Sequence, residues 1–251
     1  MEELEKYTLN FVFVYFGFKV LYLEPMQCVI LAAGKGTRLR PLTDTTPKPL
    51  VKVAGKALLD HIVESLPSAV DELIIVHGYL GEQIIAHCGS EYMGRKVTYV
   101  HQVEQKGTAM ALWLCKDLLK GRFLFLFADD IHGKDDLARA TSFTRALLVA
   151  QVTNPEKFGI VVRNPDGTLG LMIEKPEHAP SNCASTGAMV LDDHIFEFEP
   201  QTVVKDEYYL TEVIERYAQK YPIAIVEQNL WIPIGYPEDI EKAEAILATQ
   251  N

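Results

Sequence analysis

Leu31–Leu50 reads LAAGKGTRLRPLTDTTPKPL. The run that leads into it, Gln27–Ala32 (QCVILA), carries no charge and reads as a buried strand. At Gly34-Lys35-Gly36-Thr37-Arg38 that strand has to turn. Glycines there let the backbone turn tightly and aim successive amide N–H groups at an anion. Arg38 adds a planar fork of donors, and Lys48 a compact point charge. Between Gly34 and Lys56 stand Lys35, Arg38, Arg40, Lys48, Lys52 and Lys56 against Asp44 alone, a local charge of +5 in a chain whose net charge is −10. A basic segment within an acidic protein points to a polyanionic ligand. Two familiar phosphate loops are excluded. The Gly-x4-Gly-Lys-Ser/Thr spacing is absent, and Leu39 stands where Gly-x-Gly-x-x-Gly needs its third glycine.

Outward from this loop, short apolar runs alternate with amphipathic stretches. Leu58, Leu59, Ile62, Val63 and Leu66 share one helical face, followed by a strand at Glu72–His77, a helix at Gly81–His87 and a strand at Val97–His101. A helix over Thr108–Leu119 and a strand over Arg122–Ala128 come next. Alternation of this kind predicts an α/β fold, Rossmann-like, with a mixed, mostly parallel sheet and helices on both faces. The second half is richer in strands: Ala146–Val152, Ile160–Val162, Leu169–Ile173, Ala188–Leu191 and Ile223–Val226. Its last helix starts at Pro237-Glu238-Asp239, a proline and two acids suited to a helix N-terminus. No internal repeat or low-complexity linker interrupts the chain, so residues 26–251 read as one domain.

Residues 1–25 read as an extension outside that domain. Phe11–Leu23 is apolar but too short to span a bilayer and is broken by Lys19, and MEELEK before it is not basic. An extra strand or a contact between copies of the chain, as in a homo-oligomer, is the alternative. The acidic net charge speaks against a nucleic-acid partner and gives no attraction to anionic membranes. Cys28, Cys88, Cys115 and Cys183 lie far apart with no Cys-x-x-Cys pair, which fits reduced core thiols in a cytoplasmic protein. The seven histidines show no metal-ligand spacing.

The string Gly-x-Gly-Thr-Arg-x2-Pro-x-Thr-x3-Pro-Lys-Pro from Gly34 to Pro49 closely resembles the signature of the sugar-1-phosphate nucleotidyltransferases. Thymidylyl-, uridylyl- and guanylyltransferases belong to that family, and the similarity recurs at separated motifs from about Met26 to Ala245. It implies a nucleoside triphosphate and a sugar 1-phosphate as partners and Mg²⁺ as cofactor. It also implies that Leu31, Ala32, Ala33, Gly34, Gly36 and Thr37 bind the nucleotide, with Arg38 and Lys48 acting on the phosphates. His101–Ala109 (HQVEQKGTA) follows a strand and opens a helix that Thr108 is expected to cap. It is similar to the segment that reads the base in the uridylyl- and thymidylyltransferase branches, and so assigns Gln102, Gly107 and Thr108 to the nucleotide. The Gln102 amide can both donate and accept, matching the imide edge of uracil or thymine.

Ala128-Asp129 resembles the family's Gly-Asp at the end of a central strand, which gives Asp129 the metal. Carboxylates there lie where doubly wound sheets bind ligands, and a hard oxygen donor suits Mg²⁺. Asp130 is expected to be a solvated loop residue or a partner of the ligand. Glu174-Lys175-Pro176 resembles a motif whose glutamate holds sugar hydroxyls and whose lysine holds the sugar phosphate. Gly159, after Phe158, and Ser185, in place of the usual asparagine, belong to the same sugar side. Glu207–Glu212 reads as architecture more than chemistry. One departure stands out: where many relatives carry aspartate in Trp-x-Asp-x-Gly, this chain has Pro233 between Trp231 and Gly235. Proline has neither carboxylate nor N–H, so Asp129 is expected to hold Mg²⁺ alone. The expected reaction is nucleotidyl transfer from UTP or dTTP to a sugar 1-phosphate. A guanylyl- or cytidylyltransferase of the same fold, or a non-catalytic nucleotide-sugar-binding regulator, is the alternative.

Overall fold

The uninterrupted apolar runs of the first half become strands buried on both sides. In a computed structural model, which describes residues 13–16, 19–22, 25–201, 203–204 and 206–249, Met26–Ala32 forms β1, Val70–His77 β2, Arg95–His101 β3 and Arg122–Phe127 β4. They lie side by side in the order β4-β1-β2-β3, every neighbour parallel. Alternate residues serve opposite faces. Cys28, Ile30, Leu73, Ile75, Leu124 and Leu126 enter one core, while Val29, Ile74, Val76, Phe123 and Phe125 enter the other. Each such side chain, fully buried, contributes about 1.5–3 kcal/mol, so the runs have no polar face to spare.

Helices cover both faces. Leu58–Glu64 (α1) sends Leu58, Leu59, Ile62 and Val63 into the first core. Gly81–Cys88 is α2 and Thr108–Trp113 is α3. Ala109 and Leu112 of α3 enter the second core. The helix stops at Trp113, short of the expected Leu119, because the next turns tighten. Cys115, Lys116 and Leu118 donate to the carbonyls three residues back, at 2.9, 3.2 and 2.9 Å. That winding brings the chain round to β4.

Asp130–His132 forms β5, and Lys134–Ala140 forms α4. Then Ala146–Gln151 (β6), Gly159–Arg163 (β7), Leu169–Glu174 (β8), Cys183–Asp192 (β9) and Ala224–Glu227 (β10) extend the sheet. β9 lies antiparallel to β4, and β7 and β8 follow on the outside; β6 pairs with β9 and, in parallel, with β10. The sheet is therefore mixed, with a parallel centre. β9 begins five residues before the expected Ala188, since Cys183, Ala184 and Ser185 already pair with β6, and the register then shifts before pairing resumes at Met189. Leu210–Lys220 (α5) buries Leu210, Val213, Ile214 and Tyr217, spaced i, i+3, i+4 and i+7, in the second core. Trp231–Pro233 (β11) pairs with β5, and Pro237–Ala248 (α6) starts at the expected proline.

Of the N-terminal stretch, Phe13–Phe16 and Lys19–Tyr22 pair antiparallel with each other in a sheet of their own. The rest of the expected extension lies outside the described residues, except Pro25. Among the described residues no helix is long and apolar enough to cross a membrane. All four cysteines are buried free thiols.

Away from the loop region, one polar cluster ties the second core together. Asp192, at the end of β9, accepts from the Arg145 guanidinium and, at 2.7 Å, from Tyr217 O–H. Burial alone would raise its pKa, but these donors hold it below the usual carboxylate range. Breaking a pair of this kind typically costs about 3–5 kcal/mol when it is fully buried. Asp192→Asn should lower stability by about 2–3 kcal/mol at pH 7, because Arg145 and Asp192 retain some exposure. The difference from wild type should vanish as pH falls through the depressed folded pKa and Asp192 takes up its proton. Urea unfolding at pH 7 and pH 3 checks it.

Candidate active site

Between β1 and β4 the chain reverses the direction in which it adds strands, and the ends of these two strands open onto a crevice. That is the place where open α/β sheets bind ligands. Ala128 N–H donates to Leu31 O at 3.0 Å, locking the two strand ends together. A cavity of about 280 Å³ opens here. Leu31, Ala32, Ala33, Gly34, Gly36, Arg38 and Lys48 line it from one side, Gln102, Gly107 and Thr108 from another, and Asp129 from the end of β4. The expected nucleotide and metal residues thus meet, except Thr37, which does not reach the cavity wall.

Local geometry explains the loop. Gly36 has φ +61°, and a Cβ there would lie 3.0 Å from Lys48 Cβ and 3.1 Å from Thr43 Cγ2. Thr43 O–H donates to Gly36 O at 2.8 Å, holding the turn against the Lys48 segment. Gly36→Ala therefore pushes Lys48 aside and strains the backbone, at a cost of about 1–3 kcal/mol. The KM for nucleotide should rise about tenfold, a shift of roughly 1.4 kcal/mol; an unchanged KM would show that the loop does not position Lys48.

The charges in the crevice are balanced. Lys48, 9 % exposed, donates to Asp129 Oδ2 at 3.0 Å. Arg38 packs on the Tyr236 ring at 5.4 Å, free of a carboxylate partner among the described residues. Asp130 corrects an expectation. It is not solvated: it is 9 % exposed, opens β5, and accepts from Trp231 Nε1–H at 3.0 Å through Oδ2. Burial, and next the charge of Asp129, push its carboxyl well above the usual carboxylate range. Pairing with Trp231, 101 residues away, buries it.

The loop expected to read the base, His101–Ala109, is clasped from outside. Tyr208 N–H donates to Lys106 O at 2.9 Å, and Leu210 N–H to Thr108 Oγ1 at 3.0 Å. Thr108 is thus the first residue of α3, not its cap; Gly107 precedes the helix at φ +94° with no side-chain cap. Gln102, 7 % exposed, donates through Nε2 to Gly107 O at 3.3 Å. Gln105 and Glu207, absent from the expected set, also line the cavity, and Gln105 Nε2 donates to Ala33 O at 2.9 Å. Gln105 stands in the segment similar to the base-reading loop, three residues after Gln102, and that spacing was the available signal.

The four expected sugar-side residues gather apart from this cavity, across β7, β8 and β9. Gly159 faces Glu174 in register, and a Cβ on Gly159 would lie 3.4 Å from Glu174 Oε2 and 4.0 Å from Ser185 Cβ. Lys175 Nζ lies 3.1 Å from Glu174 Oε1, and Lys175 itself holds φ +41°, an unusual angle for a lysine. Glu174 Oε2 accepts from Thr211 O–H at 2.8 Å. Glu207–Thr211 therefore touches both clusters. Phe127 lines the cavity and packs against Gly187, two residues after Ser185, where a Cβ would fall 2.3 Å from Phe127 Cδ2.

Comparison with known proteins agrees with this arrangement. Residues 27–250 match the family model described as nucleotidyl transferase. The UTP–glucose-1-phosphate uridylyltransferase AglF of Haloferax volcanii is 38% identical over 240 residues, covering 90% of this chain and 98% of AglF. The bifunctional protein GlmU of Methanocaldococcus jannaschii is 34% identical over 225 residues, covering 88% of this chain and 54% of GlmU, so the chain spans about half the length of that relative. A Bacillus anthracis structure assigned as glucose-1-phosphate thymidylyltransferase superposes with a TM-score of 0.80 at 27% identity, over 88% of this chain and 94% of that one. The crevice at the strand switch, the glycine-rich loop and these likenesses converge: the chain belongs to the nucleotidyl transferase family.

Proposed function

We propose that this chain transfers a nucleotidyl group from UTP or dTTP to a sugar 1-phosphate, releasing pyrophosphate, with Mg²⁺ as cofactor. The observation that carries the reading is the crevice itself. It joins a glycine-rich anion loop, a buried glutamine able to pair with a pyrimidine imide, and a strand-end carboxylate, with Glu174 and Lys175 connected to it through the Glu207–Thr211 segment.

A phosphate oxygen of the sugar 1-phosphate attacks the α-phosphorus in line. A new P–O bond forms as the bond from the α-phosphorus to the bridging oxygen breaks, and that electron pair leaves with pyrophosphate. The chain's task is to hold two polyanions in line and to neutralise charge. Amides of the Gly34–Gly36 turn, with Arg38 and Lys48, hold the triphosphate. Lys175 holds the sugar phosphate and Glu174 the sugar hydroxyls. Asp129 supplies a hard oxygen donor, and among the described residues neither cysteine nor histidine lines the cavity, a donor set that fits Mg²⁺ rather than a softer metal. When bound, Mg²⁺ lowers the charge repulsion between phosphates. Nucleoside triphosphate chemistry and four buried reduced thiols support a cytoplasmic setting.

A matrix of nucleoside triphosphates against sugar 1-phosphates, read by pyrophosphate release, tests the whole reading. UTP or dTTP should give the highest kcat/KM; a preference for GTP or CTP would overturn the pyrimidine assignment. Pro233 favours the regulatory alternative, for which no pair of substrates would give metal-dependent pyrophosphate. Gln102→Ala should raise KM for the preferred nucleotide and relax discrimination between bases. Leaving the imide unpaired costs about 1–3 kcal/mol, or roughly 5- to 150-fold. Unchanged discrimination would place base reading elsewhere.

A further inference from the structure

β5 and β11 form an antiparallel pair in which Asp130 faces Pro233, Ile131 faces Ile232 and His132 faces Trp231. Ile234 N–H donates to Asp129 O at 3.0 Å, so residues 129 and 234 form a hydrogen-bonded pair. The next pair, Asp130 and Pro233, is then of the non-hydrogen-bonded kind, in which facing side chains share one side of the ladder and stand closest. Proline is tolerated there because the ladder asks for no N–H at that position. Residues 130 and 233 thus project from neighbouring points toward the same space.

Asp130 is nine-tenths buried, yet no lysine or arginine bonds to it among the described residues. Lys48 is taken by Asp129, and Arg38 lies on Tyr236. Its one donor is the neutral indole N–H of Trp231, on Oδ2, and Oδ1 has no donor among the described residues. A largely buried carboxylate with a neutral donor on one oxygen and the other oxygen left reachable, next in chain to a second carboxylate, is an arrangement that a hard cation completes.

We infer that Asp130 is the second carboxylate ligand of the cation held by Asp129, supplied from β5 where β11 offers only Pro233. The inference rests on the metal-dependent reading above and replaces the expectation that Asp129 holds Mg²⁺ alone. Trp231 is the positioning residue: its indole holds one carboxylate oxygen and leaves the other for the ion.

Mn²⁺ binding to the full chain, followed by electron paramagnetic resonance with and without UTP, tests this. Asp130→Asn keeps an acceptor for Trp231 and removes the charge. It should weaken Mn²⁺ binding at least tenfold while changing UTP binding in EDTA less than twofold. The double variant Asp130→Asn, Pro233→Asp moves the carboxylate across the ladder and should restore Mn²⁺ affinity to within threefold of wild type. Mn²⁺ affinity unchanged in Asp130→Asn, or no recovery in a folded double variant, overturns the inference. Should neither variant fold, Trp113→Phe leaves Trp231 as the sole tryptophan. Its emission should change on titration with Mg²⁺ if the ion joins Asp130, and an unchanged emission overturns the inference. The outcomes separate from those of the function itself. Pyrophosphate release by wild type with undiminished Mn²⁺ binding in Asp130→Asn removes only the second ligand. Absence of pyrophosphate release with every substrate pair removes the enzymatic reading, whatever Mn²⁺ does.

Discussion

Asp129→Ala should lower kcat by a hundredfold or more while leaving the fold in place. Asp129 stands on the cavity wall just past the end of β4, and Glu207 is the other carboxylate there among the described residues. Removing a main electrostatic element from an active site costs about 10²–10³ in kcat. The substitution also frees Lys48 from its 3.0 Å ion pair. The freed ammonium remains able to bind triphosphate, so nucleotide affinity measured without metal should hold or rise while turnover collapses. Steady-state kinetics beside equilibrium nucleotide binding separates the two. Near-normal turnover would place the metal elsewhere.

Gly107→Ala should be nearly as damaging, for a steric reason. Gly107 has φ +94°, and a Cβ there would come within 2.4 Å of Tyr208 O and 2.6 Å of Tyr208 N. Those atoms are backbone and cannot swing away, so the base-side loop or the Tyr208 strap has to move. The strained angle adds about 1–3 kcal/mol. Gln102 and Thr108 flank this point, one bonding Gly107 O and the other receiving Leu210 N–H. The KM for nucleotide should rise and kcat/KM fall by about a hundredfold, with thermal unfolding a few degrees lower. A Gly107→Ala enzyme with wild-type KM would mean that the strap does not hold the base loop.

The elements the sequence announces most clearly are those set by local chemistry. Continuous apolar runs became β1, β2 and β4, because both faces of the sheet are covered. The Gly34–Arg38 turn was readable because a left-handed angle and close packing against Lys48 both require glycine at position 36. Less was visible where burial depends on distant partners. Asp130 reads as a polar residue after a strand, and only pairing with Trp231 and Pro233 withdraws it from water. Glu207 reaches the cavity because Tyr208 is pinned to Lys106. α3 ends before the expected Leu119 because helical periodicity continues into Leu114–Leu119 while the backbone tightens into turns. The two clusters of side chains were each recognisable from motifs. Their distance from one another was not.

The strap Glu207–Thr211 joins those clusters by hydrogen bonds to the base loop at one end and to Glu174 at the other. If occupancy of one proposed site moves the strap, the free energy of occupancy at the other changes with it. A nucleotide that tightens the strap by some factor favours sugar phosphate by the same factor, and the reverse holds equally, because binding energies are state functions. If Glu174 holds the sugar as proposed, a new sugar preference arising there would then drag nucleotide affinity with it. Homologues that exchange one substrate are expected to carry compensating changes at the far end of this five-residue connection.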